Sequence, residues 1–305
     1  MEQKEILVVG SLNMDLVVKL IAMPKVGETV LGSDIHYVPG GKGANQSFAA
    51  TRLGGKVTML GKVGNDDFGK TLVNHLNKAG VNTSAIGFEK DCSTGLAIIY
   101  VNNEGDNSIA VIPGANARCD IHYIKSHLDK IKKADLIMMQ MEIPMETVQY
   151  VIEVAHQYNK QLILNPAPAP DFIEDELYKR IHYLTPNETE LAKLTGYPAD
   201  TMDEIIKASQ YLIEKGVKKV LVTCGDRGAV LVDQASHRHY ATQKVEAIDT
   251  TAAGDSFNAA VAVKLMEGSS EEEAIQFANK VSGIVVTRVG AQSSIPSRQE
   301  VEEVR

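Results

Sequence analysis

Asp255 is the residue of this chain whose neighbours best equip it to move a proton. It closes the segment Asp249-Thr-Thr-Ala-Ala-Gly-Asp255, between a strand-like stretch, Lys244–Ile248, and a helix expected over Gly254–Met266. Small residues at Ala252, Ala253 and Gly254 let the backbone come close to a ligand. The free N–H groups of a helix start favour an anion there. A carboxylate beside such a site suits a hydroxyl attacking a phosphate, because the transition state needs placement and charge stabilisation while the Asp takes the proton. The competing reading is a first-turn charge that only stabilises its helix, by ~0.3–1 kcal/mol, and position alone does not separate the two.

Four further segments offer ligand chemistry. Gly40-Gly-Lys-Gly-Ala-Asn45 also opens a helix and reads at first as a phosphate cradle. It lacks the spacing and Lys-Ser/Thr ending of a Walker loop, and the acid that follows a dinucleotide fingerprint. A tight turn is the alternative. Gly10-Ser-Leu-Asn13-Met-Asp15 lies past the carboxyl end of the first strand, where open parallel sheets bind ligands. Asn13 and Asp15 share a face if extended, and together they donate to and accept from hydroxyls; an Asx turn is the alternative. Thr185-Pro-Asn187-Glu-Thr-Glu190 fits a helix capping box, with a polar pair near metal-bound phosphates as the functional reading. Thr223-Cys-Gly-Asp-Arg-Gly228 is a turn after a central strand. The histidines show no metal-ligand spacing; His237 and His239 are expected in a solvated polar loop.

The elements that must position these segments alternate. Ile6–Val9, Val57–Leu60, Leu136–Gln140, Leu162–Leu164, Tyr183–Thr185, Val220–Thr223 and Ala229–Val232 read as strands. Ala44–Leu53, Gly69–Ala79, Glu146–Tyr158, Glu188–Leu194, Ile205–Lys215 and Glu271–Val286 read as helices. That alternation implies an α/β fold: right-handed βαβ units and a mostly parallel sheet covered on both faces. Two β-rich excursions, Asp15–Val18 with Thr29–Tyr37 and Gly95–Val101 with Asn107–Ile112, imply a small accessory sheet; Asn102-Asn-Glu-Gly-Asp106 has hairpin-turn chemistry. No linker or repeat divides the chain, so one domain of residues 1–305 with a β appendage is expected.

Composition excludes several classes. The 305 residues carry a formal charge of −8, without the basic stripe of a nucleic-acid binder. A phosphate site must therefore be local, made of backbone donors and one or two cations. Cys92, Cys119 and Cys224 are too few and too far apart for a disulfide framework or zinc site. The N-terminus has no signal-peptide layout, and the apolar runs are too short to cross a bilayer. A reducing cytoplasm is the simplest location.

Together the five segments resemble, in order and over essentially the whole chain, the ribokinase/PfkB family of carbohydrate kinases. Asp249–Asp255 resembles its C-terminal signature, Pro39–Gln46 its N-terminal one, and Asn187–Glu190 its Asn-x-x-Glu motif. The double alanine, the Asn-Met-Asp segment and Asn165-Pro-Ala-Pro-Ala resemble the ribokinase branch. The resemblance implies a three-layer α/β/α sandwich with a β-sheet lid from about 13–38 and 94–113. It implies ATP-dependent phosphorylation of D-ribose, with Asp255 as base and Ala252, Ala253 and Gly254 as anion hole. Asn13, Asp15, Gly41, Lys42, Gly43, Ala44, Asn45 and Glu142 would hold the sugar, so the first glycine cluster would serve hydroxyls rather than phosphate. Asn187, Glu190, Thr223, Gly225, Asp226, Arg227, Gly228, Gly254 and Asn279 would serve the nucleotide and its Mg²⁺. Asp249, Thr251, Val285, Arg288, Gly290 and Ser294 would form a K⁺ loop. A homodimer through paired lids is implied. The alternatives are another sugar or nucleoside kinase of the family, or a sugar-binding regulator without turnover. Ser256, where ribokinases often carry Thr, is the one departure.

Overall fold

The computed structural model describes residues 3–104 and 106–304. Its larger sheet runs in the order β13-β12-β11-β10-β9-β8-β1-β4-β5. These strands are β1 (Glu5–Val9), β4 (Lys56–Gly64), β5 (Asn82–Glu89), β8 (Leu136–Met139), β9 (Gln161–Leu164), β10 (Tyr183–Leu184), β11 (Lys219–Thr223), β12 (Ala229–Asp233) and β13 (His237–Tyr240). The smaller sheet, β3-β2-β6-β7, comprises β2 (Asn13–Leu20), β3 (Gly32–Gly40), β6 (Gly95–Val101) and β7 (Asn107–Ile112). From β5 to β11 every pairing is parallel, and β12 and β13 add antiparallel.

The β1 sequence shows why the sheet is covered on both faces. Successive side chains point to opposite sides of a strand. Ile6 and Val8 enter one apolar cluster, with Ala49, Phe257 and Val281 from helices. Leu7 and Val9 enter the other, with Val148, Val151 and Leu212. A strand buried on both faces is uniformly apolar, which is the pattern of Glu5-Ile-Leu-Val-Val9 beyond its first residue. Met138 and Met139 are fully buried, as a core reading requires.

The smaller sheet is the accessory sheet expected from the β-rich excursions. The hairpin turn at Asn102–Asp106 brings Asn102 Oδ1 to the Asp106 N–H at 2.9 Å, while Gly105 lies outside the described residues. Two expectations need correction, and one strand was not foreseen. Lys244–Ile248 is not a strand but an extended exposed segment that leaves the sheet after β13 and passes along a cavity. His237 and His239 lie on edge strand β13 rather than in a loop, and His239 Nε2 lies 2.6 Å from the Arg227 carbonyl oxygen. Strand β5, which carries no strong sequence signal, completes the opposite edge. Among the described residues no helix is long and apolar enough to cross a membrane.

Candidate active site

The helix Ala253–Glu267 begins where Ala252 adopts a left-handed conformation, φ 61°. A non-glycine residue there is held at a cost of about 1–3 kcal/mol, so the surrounding loop must fix it. The Ala253 N–H donates to the Thr250 carbonyl and the Ser256 N–H to the Ala252 carbonyl. Between them, the Gly254 and Asp255 amides have no backbone acceptor among the described residues. A Cβ on Gly254 would meet nothing within 4 Å. Glycine here leaves space in front of free donors rather than relieving a clash.

Asp255 is 7% exposed. Its Oδ2 accepts from Asn45 Nδ2 at 3.0 Å and its Oδ1 from Gln46 Nε2 at 3.1 Å. Both donors lie in the first turns of the helix Lys42–Arg52. Gln46, which sequence reasoning passed over, is itself held by buried amides: its Oε1 accepts from Gln140 Nε2 at 2.7 Å, and its Nε2 also reaches Asn165 Oδ1 at 3.3 Å. Gln292 Nε2 donates to Asn45 Oδ1 at 3.1 Å. Adjacency to Asn45 within Pro39–Gln46 was the available signal for Gln46; Gln292 had none.

Asn13 and Asp15 stand two apart on β2, on one face as expected. Burial, and then the negative charges of Glu142 and Asp255, push the Asp15 carboxyl up to about 7. Glu142 accepts from the Ser11 hydroxyl and from the Lys42 N–H at 3.1 Å. Burial opposes the Lys42 charge, but Asp255, Glu142 and Glu190 together hold its pKa above the ordinary value. Asn13 and Glu142 line one cleft with Val111, Pro113, Met141 and Pro168. The Gly43 N–H turns to Ser11 Oγ at 3.4 Å and the Ala44 N–H to the Ser11 carbonyl at 2.9 Å, so neither amide faces that cleft.

A second cavity, of about 440 Å³, opens on the other side of the helix start, a volume suited to a small-molecule ligand. Asn187, Thr223, Gly225, Asp226, Gly228, Gly254 and Asn279 line it as expected, and Val245, Ala247 and Gly283 line it without having been foreseen. Gly228, at φ 88°, is fixed by its neighbours: a Cβ would lie 2.1 Å from the Tyr240 carbonyl. Asn187 and Glu190 do form the capping box. Burial raises the Glu190 pKa; the Asn187 N–H and Lys42 counter it, and Asp255 adds to the rise. Arg227 is not in the lining: its guanidinium pairs with Glu188 and donates to the Asp200 carbonyl at 2.8 Å.

Asp249 gathers the remaining loop. Its Oδ1 accepts from the Thr251 N–H at 2.9 Å and hydroxyl at 2.6 Å, and its Oδ2 from the Gly290 N–H at 2.8 Å. Burial acts to raise its pKa, but these bonds outweigh it and hold the carboxyl below its usual range. The Ile248 and Asp249 N–H groups both reach the Val286 carbonyl, and the Val285 carbonyl accepts from the Arg288 N–H. The Arg288 guanidinium itself turns to Glu300 at 2.9 Å. Ser294 is fully buried and donates to the Ala291 carbonyl at 2.7 Å. Among the described residues no cluster of three or more His, Cys, Asp or Glu side chains could hold a metal ion.

Comparison with known proteins places this arrangement. Residues 3–298 match the model of the pfkB family carbohydrate kinases. The chain is 42% identical over 303 residues to a ribokinase of Bacillus subtilis (strain 168), covering 99% of each. It is 37% identical over 299 residues to a deoxyribokinase of Salmonella typhi, covering 98% of each. The structure of Arabidopsis thaliana ribokinase complexed with ribose and ATP matches with a TM-score of 0.92 at 32% identity, over 99% of this chain and 98% of that one. With its signature segments converging on Asp255 and residues 3–298 matched to the family, the chain belongs to the pfkB family of carbohydrate kinases.

Proposed function

We propose that this chain transfers the γ-phosphoryl group of ATP to the 5-hydroxyl of D-ribose, giving D-ribose 5-phosphate and ADP. The observation that carries the reading is the buried Asp255 carboxylate, clamped by Asn45 and Gln46 at a helix start with free Gly254 and Asp255 amides. Asp255 takes the hydroxyl proton as the sugar oxygen attacks the γ-phosphorus, and the bond from that phosphorus to the ADP oxygen breaks. The free amides meet the charge on the transferring group, where preorganised donors are worth most. Asp15 and Glu142 accept from sugar hydroxyls, and Asn13 and Lys42 donate to them. The cavity bounded by Asn187, Thr223, Gly225 and Asn279 takes the nucleotide.

Asn187 and Glu190 are the residues that would serve the Mg²⁺ region of ATP. The fit rests on donor chemistry: Glu190 offers a carboxylate oxygen, the donor type Mg²⁺ takes, held by the capping box beside cavity-lining Asn187. Asp249, Thr251, Val285, Arg288, Gly290 and Ser294 would hold K⁺, several of them through carbonyls. The fit rests on an ionised Asp249 that draws the Gly290 segment to Thr251. Such a cation would add positive charge beside the anion site and order its loop. The smaller sheet would act as a lid on a single kinase domain. Its exposed Ile35, Tyr37, Ile109 and Val111 suit pairing with a second copy. The free Cys92, Cys119 and Cys224 suit a reducing cytoplasm.

The Salmonella typhi deoxyribokinase supplies the second reading, phosphorylation of 2-deoxyribose. Steady-state turnover over ribose, 2-deoxyribose, fructose and adenosine, with and without K⁺, decides. Ribose is expected to give the highest kcat/KM, reduced without K⁺. A ribose value no better than the others would sink the assignment, and indifference to the cation would remove the loop's role.

A further inference from the structure

Asn116 lies in the short 3-10 turn Gly114–Arg118 that receives the chain from β7, and it is 1% exposed. Its Oδ1 accepts from the Leu12 N–H at 2.9 Å. Its Nδ2 donates to the Leu12 carbonyl at 3.2 Å and to Asn13 Oδ1 at 2.7 Å. Leu12 and Asn13 are where the chain passes from β1 into β2. Asn116 therefore ties the last crossing between the two sheets to the first. Gly95 closes over the same pair: a Cβ there would stand 2.3 Å from both Asn116 Nδ2 and Asn13 Oδ1.

This network fixes the direction of two amides in turn. A backbone N–H only donates, so the Asn116 oxygen must face Leu12. The Asn116 amino group then faces Asn13, which must answer with its own oxygen. The Asn13 amino group is left over. It has no protein partner among the described residues, and Asn13 lines the cleft it shares with Glu142. We infer that Asn116 is a positioning residue for the sugar: it holds the Asn13 carboxamide with its N–H donors turned to the substrate hydroxyls. The acceptor of the cleft, Glu142, then faces a donor of fixed direction, and a hydroxyl can satisfy both at once. The inference rests on the sugar-cleft reading above.

Asn116→Asp tests it. The variant keeps an acceptor for the Leu12 N–H and loses both donors, so the Asn13 amide is driven to reverse. The sugar KM, and the sugar Kd by calorimetry, should rise about tenfold or more, the usual consequence of an unmatched buried polar group. The ATP KM and kcat should stay within about twofold, since the nucleotide cavity is untouched. Combined with Asn13→Ala, the effect of Asn116→Asp on the sugar should vanish, because no carboxamide remains to orient. Gly95→Ala presses on the same pair without burying a charge, and carries the same expectation should Asn116→Asp not fold. If Asn13→Ala alone leaves sugar binding unchanged, the cleft reading fails. If Asn13→Ala weakens the sugar while Asn116→Asp and Gly95→Ala do not, the inference is overturned. It is overturned equally if the Asn116 effect adds in full to that of Asn13→Ala.

Discussion

Two helix starts rich in small residues meet at Asp255, and they do opposite things with their backbone. At Lys42–Ala44 the amides are spent within the protein: Lys42 on Glu142, Gly43 on the Ser11 hydroxyl, Ala44 on the Ser11 carbonyl. The glycines there are needed because backbone passes close. A Cβ on Gly41, at φ 89°, would lie 2.6 Å from the Asn13 nitrogen, and one on Gly43 2.7 Å from the Ser11 nitrogen. At Ala252–Asp255 the reverse holds, with free amides at Gly254 and Asp255 and open space over Gly254. A glycine cluster at a helix start is thus an anion site only where the fold leaves its donors unpaired. The first start instead presents side chains, Lys42, Asn45 and Gln46, which suit hydroxyls and the base.

The largest expected effect removes the base that lies between the two starts. Asp255→Asn should lower kcat by ~10²–10⁴, the range for a positioned general base. Sugar binding measured by calorimetry should survive. Turnover near the starting value would return Asp255 to a helix-stabilising charge, and the comparison would lose its catalytic meaning.

The comparison itself is sharpened by one methyl group on each side. Gly41→Ala should destabilise the fold by about 1–3 kcal/mol, since the residue is held at positive φ against backbone. Gly254→Ala should leave stability level or raise it by about 0.5–1 kcal/mol, because alanine suits a helix better than glycine. Its cost should fall on kcat, up to about 10²-fold, through a displaced phosphoryl group. Denaturant unfolding and steady-state kinetics on both variants read the contrast. A stable Gly41→Ala enzyme, or a fully active Gly254→Ala one, would break it.

Much of this was legible in the chain because the signals are local. The apolar runs separated by helical periods gave the parallel sheet, and the two β-rich excursions gave the smaller one. Asp255 and its small neighbours were legible as residue types in order. The state of the amides was not, because it depends on Ser11 and Glu142, which stand 131 residues apart and meet only in the fold. Of the polar side chains that orient the site, Gln46 is marked only by its place beside Asn45, and Gln140, Asn116 and Gln292 carry no mark in sequence. Each is buried only because another long-range partner satisfies it. Lys244–Ile248 misled in the other direction. Its composition suits a strand, but after β13 it leaves the sheet, and its hydrogen bond back among the described residues is from Ile248 to the Val286 carbonyl.

The smallest expected effect belongs to the side-chain half of the comparison. Burial and the charges of Glu142 and Asp255 push Asp15 up to about 7, so its ionisation is poised rather than complete near neutrality. A folded pKa above the unfolded one means that the native state binds the extra proton. The stability this contributes is fully present below the ordinary aspartate pKa, near 4, and is lost as pH rises through about 7. Sugar affinity should run the other way, because only the ionised carboxylate accepts from hydroxyls with both oxygens. Between pH 6 and 8 the sugar KM should fall by roughly tenfold at most, following the ionised fraction, while ligand-free stability declines. Asp15→Asn should flatten both slopes and leave the ATP KM alone. The free amides of the other helix start do not titrate, so a pH slope that survived Asp15→Asn unchanged would have to come from another group, and the division between a side-chain sugar site and a backbone phosphate site would no longer account for the pH response.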